Sequence, residues 1–153
     1  MKALRYCYEF PELENHQINS FKTESIELSI INLLVGKNAT GKSTLVQAFN
    51  VLSKILKGEF LRLGKYHIEL SADDGSVFMY TCDITLDKKT GVHISEKLIQ
   101  NETLLINRDN TNGQIFSVIE KKMVTINPPN DKLVSQVRRD AKEGESRRAL
   151  VST

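Results

Sequence analysis

Gly36-Lys37-Asn38-Ala39-Thr40-Gly41-Lys42-Ser43 places two glycines, a lysine and a hydroxyl at the spacing of a phosphate-binding loop, G-x-x-x-x-G-K-[ST]. Gly36 and Gly41 leave room for main-chain amides to turn inward around an anion, where larger side chains would obstruct them. Gly41 and Lys42 open a helix whose unpaired N–H groups and positive dipole end favour a polyanion. The Lys42 ammonium is a flexible point charge able to reach β- and γ-phosphate oxygens. The Ser43 hydroxyl suits Mg²⁺, a hard ion that prefers oxygen ligands and keeps several waters. Thr44 adds a backbone amide near the α-phosphate position. Together these residues predict binding of a nucleoside triphosphate, ATP with Mg²⁺, at Gly36, Asn38, Ala39, Thr40, Gly41, Lys42, Ser43 and Thr44, with Ser43 as metal ligand.

Such a loop needs a strand before it and a helix after it. The apolar run Ile30-Ile31-Asn32-Leu33-Leu34-Val35 predicts a buried strand leading in. Leu45, Ala48, Phe49, Leu52, Ile55 and Leu56 recur at helical spacing and make one apolar face. Lys54 and Lys57 suit the negative end of that helix, and Gly58 suits its C′ position. A plain Gly/Thr/Ser connector has no use for Lys42 and Ser43 here, so the phosphate reading is preferred.

The rest of the chain bounds the setting. Its 153 residues predict one domain with a real core, and 40% hydrophobic and 26% charged residues are ordinary for a globular protein. A net charge of +2 argues by itself for neither nucleic acid nor membrane. No uncharged run approaches the ~20 apolar residues of a membrane helix, and Met1-Lys2-Ala3-Leu4-Arg5 leads into no signal-peptide core. Cys7 and Cys82 are too few and too isolated for a disulfide framework or a metal knuckle, and read as reduced thiols in cytoplasm. His16, His67 and His93 have no metal-ligand spacing and read as surface residues.

Along the chain, Met1 to Phe10 reads as a strand, Pro11 to Asn15 as a break, and Ile18 to Ser29 as a second extended stretch. After Gly58 the period falls to two. Phe78, Tyr80, Cys82, Ile84 and Leu86 alternate behind an Asp73-Asp74-Gly75-Ser76 turn, and Lys88-Lys89-Thr90-Gly91 turns the chain into Val92 to Leu98. Short strands are expected at 103–107, 114–119 and 122–126. Pro128-Pro129 stops the meander, and Asn130 or Asp131 caps a helix running to about Lys142. The expected fold class is α/β: a P-loop NTPase lobe with a strand–P-loop–helix core and an antiparallel β-meander, ending in a helix. Residues 1–142 form the ATP-binding domain, and 143–153 a frayed tail.

The stretch from Ile31 to Leu45, with Asn32, Asn38 and Gly41-Lys42-Ser43-Thr44, resembles the N-terminal half of ABC-type ATPases of the SMC/RecF kind. It is also similar to the bacterial AAA-family ATPases of anti-phage and overcoming-lysogenization systems. The resemblance implies an antiparallel meander after the first helix and a head-to-tail ATP sandwich, with a homodimer partner or a second ATPase lobe. DNA is a further possible partner. Ala39 departs from the family's glycine and reduces backbone freedom in the loop. The family hydrolyses ATP with a Walker B strand ending in Asp-Glu, a Leu-Ser-Gly-Gly-type signature and a switch His, and none of these is in this sequence. Its nearest imitation of Walker B, Val77 to Asp83, alternates like a half-exposed strand and continues with Ile84. The chain is therefore expected to be the first lobe of a larger enzyme, with binding better supported than turnover, and its catalytic residues are unknown.

Other features have plainer readings. Tyr6, Tyr8 and Phe10 offer rings for adenine, but strand packing accounts for them. Arg138-Arg139 and Arg147-Arg148 offer contacts to DNA phosphates, but Asp140, Glu143 and Glu145 cancel most of that field. The alternative function is a non-enzymatic protein- or DNA-interaction module. A small-molecule kinase is disfavoured, because the second half has neither parallel strands nor an Arg-rich lid.

Overall fold

In the computed structural model the described residues are 2–10, 21–22, 26–29, 32–38, 42–59 and 61–134. Strands β1 (Lys2–Phe10), β2 (Phe21–Lys22) and β3 (Ile26–Glu27) precede helix α1 (Lys42–Lys57). Six strands follow: β4 (Gly64–Ser71), β5 (Val77–Asp87), β6 (Gly91–Gln100), β7 (Thr103–Asp109), β8 (Asn112–Ser117) and β9 (Lys122–Ile126). They form one open antiparallel sheet in the order β2-β1-β4-β5-β6-β7-β8-β9, with β3 also on β1. β3 pairs the middle of β1 and β2 its far end, so two short strands share one edge of the sheet.

Alternation sets the two faces. In register across the sheet, Tyr6 meets Ile68, Ile68 meets Tyr80, and Tyr80 meets Leu98, all on the face that packs against α1. Arg5, His67, Glu69, Thr81 and His93 fall on the opposite face. The helix buries Ala48, Val51, Leu52 and Ile55, and Leu45, Phe49 and Leu56 pack around them. Full burial of each Val, Leu or Ile side chain contributes roughly 1.5–3 kcal/mol. Val51 joins the predicted stripe because the buried face is broader than a four-position seam.

α1 ends as its sequence predicts. Gly58 takes φ 78°, its N–H donates to Ile55 O at 2.9 Å, and Glu59 N–H donates to Lys54 O at 3.0 Å. This is a Schellman closure, which only a residue at ease in the left-handed region makes without strain. The hairpin turns also follow local chemistry. Asp87 Oδ1 accepts from the Lys89 and Thr90 amides ahead of Gly91 (φ 82°), and Asp74 Oδ1 accepts from Ser76 N–H beside Gly75 (φ 85°). Backbone bonds from Ser76 and Thr90 are the chief reason the Asp74 and Asp87 carboxyls sit below their usual range.

Several expectations need revision. Ile30 to Val35 was expected to be a buried strand; residues 32–37 join no strand, and Leu33 (86% exposed), Leu34 (43%) and Val35 (83%) face solvent. A continuous apolar run marks a strand buried on both faces only if neighbouring strands cover it. Among the described residues every strand pairing is antiparallel and none reaches this run. The strand-dominated sheet is not typical of P-loop folds, and the described residues do not show a strand–P-loop–helix core. Strand β4 was missed altogether, although it joins β1 to β5. β8 ends at Ser117, with Val118 and Ile119 in the following turn rather than in the strand. The helix expected after an Asn130 or Asp131 cap does not begin there: residues 131–133 are a turn, a bend and irregular chain. Val134 alone is helical among the described residues, and 135–142 lie outside them, as does the tail at 143–153.

Candidate functional site

The helix carrying Lys42, Ser43 and Thr44 is held in place from below. The buried Tyr6 hydroxyl donates to Ala48 O at 3.1 Å, and its ring lies 4.2 Å from that of Phe49. This β1 residue ties α1 to the sheet at Ala48 and Phe49, within the wider packing of the helix on the core. The first turn contains no acidic residue, so nothing in it offsets the positive end. Ser43 is exposed, and Lys42 and Thr44 are half-buried.

The loop turns back on itself through Lys42. Its Nζ donates to Gly36 O at 2.7 Å and to Lys37 O at 2.6 Å. An ammonium has three donors and no acceptor, so these carbonyls seat the charge without cancelling it, as a carboxylate would. The two limbs of the eight-residue motif are therefore drawn together at the head of a helix. Gly36, Lys37 and Asn38 are exposed, open to an incoming ligand. Ala39, Thr40 and Gly41 lie outside the described residues.

On the incoming limb, Ser29 N–H donates to Asn32 Oδ1 and Asn32 Nδ2 donates to Ser29 O, both at 2.8 Å. Leu28 N–H donates to Leu4 O at 2.7 Å, which continues the attachment to β1. The Asn32–Ser29 exchange went unread in the sequence. An asparagine within an apolar run is the signal, since such a residue seeks main-chain partners.

The remaining candidates are dispersed. Tyr6 is core, which leaves no ring of it for adenine, and the side chains of Tyr8 and Phe10 lie outside the described residues. Asp83, the acid of the Walker B imitation, stands within antiparallel β5 between Lys65 of β4 and Ser95 of β6, so it does not end a parallel strand. His67 lies 3.5 Å from Glu69, and His93 2.8 Å from Asp109, each on the face away from α1. His16, Arg138, Arg139, Arg147 and Arg148 lie outside the described residues.

A buried polar cluster sits on the α1 side of the sheet. Glu96 and Arg108 have fully buried side chains 3.0 Å apart. Tyr80 donates to Glu96 Oε1 at 3.0 Å, and Val134 N–H to Oε2 at 2.9 Å. Arg108 also donates to Asn110 O, Pro129 O and Lys132 O at 2.6–2.7 Å. Residues 128–134 are thereby laid across the sheet. Burial, helped by neighbouring Cys82 and Glu96, raises the Tyr80 hydroxyl well above its usual pKa. Burial and the Glu96 charge push the Cys82 thiol up to about 12. With its donors and acceptors turned onto protein groups, this cluster is a structural clasp.

Comparison of the chain with protein-family models, with curated proteins and with solved structures gives no match. Among the described residues no helix is long and apolar enough to cross a membrane.

Proposed function

We propose that this chain binds Mg-ATP through residues 36–44, as the N-terminal lobe of an ABC/SMC/RecF-like ATPase. The observation that carries the reading is the Lys42 ammonium drawn over the loop's own Gly36 and Lys37 carbonyls, at the head of a helix whose first turn holds no acid. That arrangement suits a polyphosphate: helix amides and one cation converge, with no carboxylate in the turn to repel the ligand. Lys42 holds the β- and γ-phosphate oxygens, and the amides of Ser43 and Thr44 face the α- and β-phosphates. The Ser43 hydroxyl, exposed at the head of α1, would be a ligand of Mg²⁺, a metal that polarises the phosphate oxygens.

Hydrolysis is not assigned to this chain, because water positioning and a second metal-side carboxylate would have to come from elsewhere. The exposed run Leu33–Val35 supports a lobe that meets further strands, in keeping with the resemblance. The same run also favours the second reading, a protein-interaction module in which nucleotide plays no part.

Thermal unfolding separates the two. Millimolar ATP with Mg²⁺ is expected to raise the midpoint of the wild-type chain, and Lys42→Ala to abolish the rise. A wild-type midpoint indifferent to ATP, with self-association unchanged by Lys42→Ala, overturns the nucleotide reading in favour of the interaction module.

A further inference from the structure

Both limbs of the phosphate loop are tied to strand β1, by very different means. The outgoing limb is the helix itself, fixed by the buried Tyr6–Ala48 bond and the Tyr6–Phe49 contact. The incoming limb leaves the sheet at Leu28, whose N–H is on Leu4 O, and then runs through residues 32–37 without joining a strand. Over that exposed stretch the Asn32 amide gives the chain its hold. It accepts from Ser29 N–H and donates to Ser29 O, so both arms of one planar group grip a single residue beside β3. Leu33, Leu34 and Val35 then carry the chain to Gly36, at most ~3.3–3.6 Å per residue. The places of the Gly36 and Lys37 carbonyls, which receive Lys42, are set from Asn32 at one end and from α1 at the other.

We propose that Asn32 is a positioning residue of the phosphate loop. By folding the chain back onto Ser29 it aims residues 33–37 so that the first-glycine limb lies under the Lys42 ammonium. Without it the limb swings, and the cradle must be ordered by the ligand at a cost in affinity. The inference rests on the ATP-binding reading and adds a residue that touches no ligand. Its effect falls on the loop alone, so affinity for ATP, ADP and pyrophosphate should drop by a common factor.

The test is calorimetric titration of the full chain with Mg-ATP, Mg-ADP and pyrophosphate, alongside nucleotide-free thermal unfolding. Asn32→Ala is expected to weaken all three ligands about tenfold, the scale of two exposed hydrogen bonds. Because Asn32 is exposed, the nucleotide-free midpoint should stay within about 2 °C. Ser29→Pro deletes the N–H that Asn32 accepts and should weaken binding in the same way. Combined with Asn32→Ala, it should add less than its separate effect, since both break one clasp. Wild-type affinity in Asn32→Ala, or full additivity in the double variant, overturns the proposal while leaving ATP binding standing. A wild-type chain that takes up no Mg-ATP overturns the nucleotide reading and this inference with it.

Discussion

Arg108 and Lys42 both donate to main-chain carbonyls, one sealed inside the sheet and the other at the mouth of an exposed loop. The Arg108 fork spends its donors on the Glu96 carboxylate and on Asn110 O, Pro129 O and Lys132 O, and both charged side chains are fully buried. Nothing less would do, because a buried charge left short of partners costs several kcal/mol. Lys42 sits at a half-buried position with an exposed serine next in the chain, so no comparable penalty compels its two bonds. The contrast separates the part of the molecule that fastens the fold from the part proposed to bind. One cluster fastens the fold, and the other draws a cation over the carbonyls of an exposed loop.

The comparison is broken most easily at its heavier end. Arg108→Met should leave Glu96 buried without a counter-charge and cost about 3–5 kcal/mol in urea unfolding. Replacing Glu96 with Gln in the same chain removes the uncompensated charge, keeps an acceptor for Tyr80 or Val134, and should recover part of that loss. A cost under about 1 kcal/mol for Arg108→Met would mean that the clasp is not the anchor described.

Next in size is an alkaline effect at Cys82, whose thiol rises from 9.0 to about 12 on folding. The folded state favours the protonated thiol. This contribution is therefore whole below pH 9 and is lost as the pH climbs from there towards 12. Cys82→Ala should flatten that decline in a series of unfolding midpoints taken from pH 8 to pH 10.5.

Gly58→Ala comes third, at roughly 1–2 kcal/mol, from forcing a Cβ into the left-handed closure of α1. Smallest is Lys42→Ala. It should change nucleotide-free stability by less than about 0.5 kcal/mol although it removes the response to ATP. A large loss of stability from that substitution would erase the division between the two regions.

Local rules with local causes were legible in the sequence. The α1 stripe, the Gly58 closure and the Asp-Gly and Asp-x-x-Thr-Gly turns each depend on residues within a turn or two of one another, and each formed where expected. What depends on distant partners was not. The run Leu33-Leu34-Val35 announces an appetite for neighbours, but a sequence cannot say whether neighbours are there. β4 is another such case: Tyr66, Ile68 and Leu70 alternate with Lys65, His67 and Glu69, but only pairing with β1 and β5 makes that short stretch a central strand. Lys65, His67 and Glu69 lie on the face away from α1. Glu96 and Arg108 stand twelve positions apart across a hairpin, where an exposed pair and a buried one look alike until residues 128–134 close over them. At the candidate site the motif and its helix were readable, whereas the grip of Asn32 on Ser29 needed coordinates.

The solvent-facing run before the loop has a calorimetric consequence. Side chains already wet in the native state gain no hydration when the chain melts, so Leu33 and Val35 add almost nothing to the heat-capacity increment of unfolding. Among the described residues that increment comes from the buried groups, those between α1 and strands β1, β4, β5 and β6 together with Ile126, Leu133 and Val134. Any partner that dries residues 33–35 would then announce itself as a negative heat-capacity change on association.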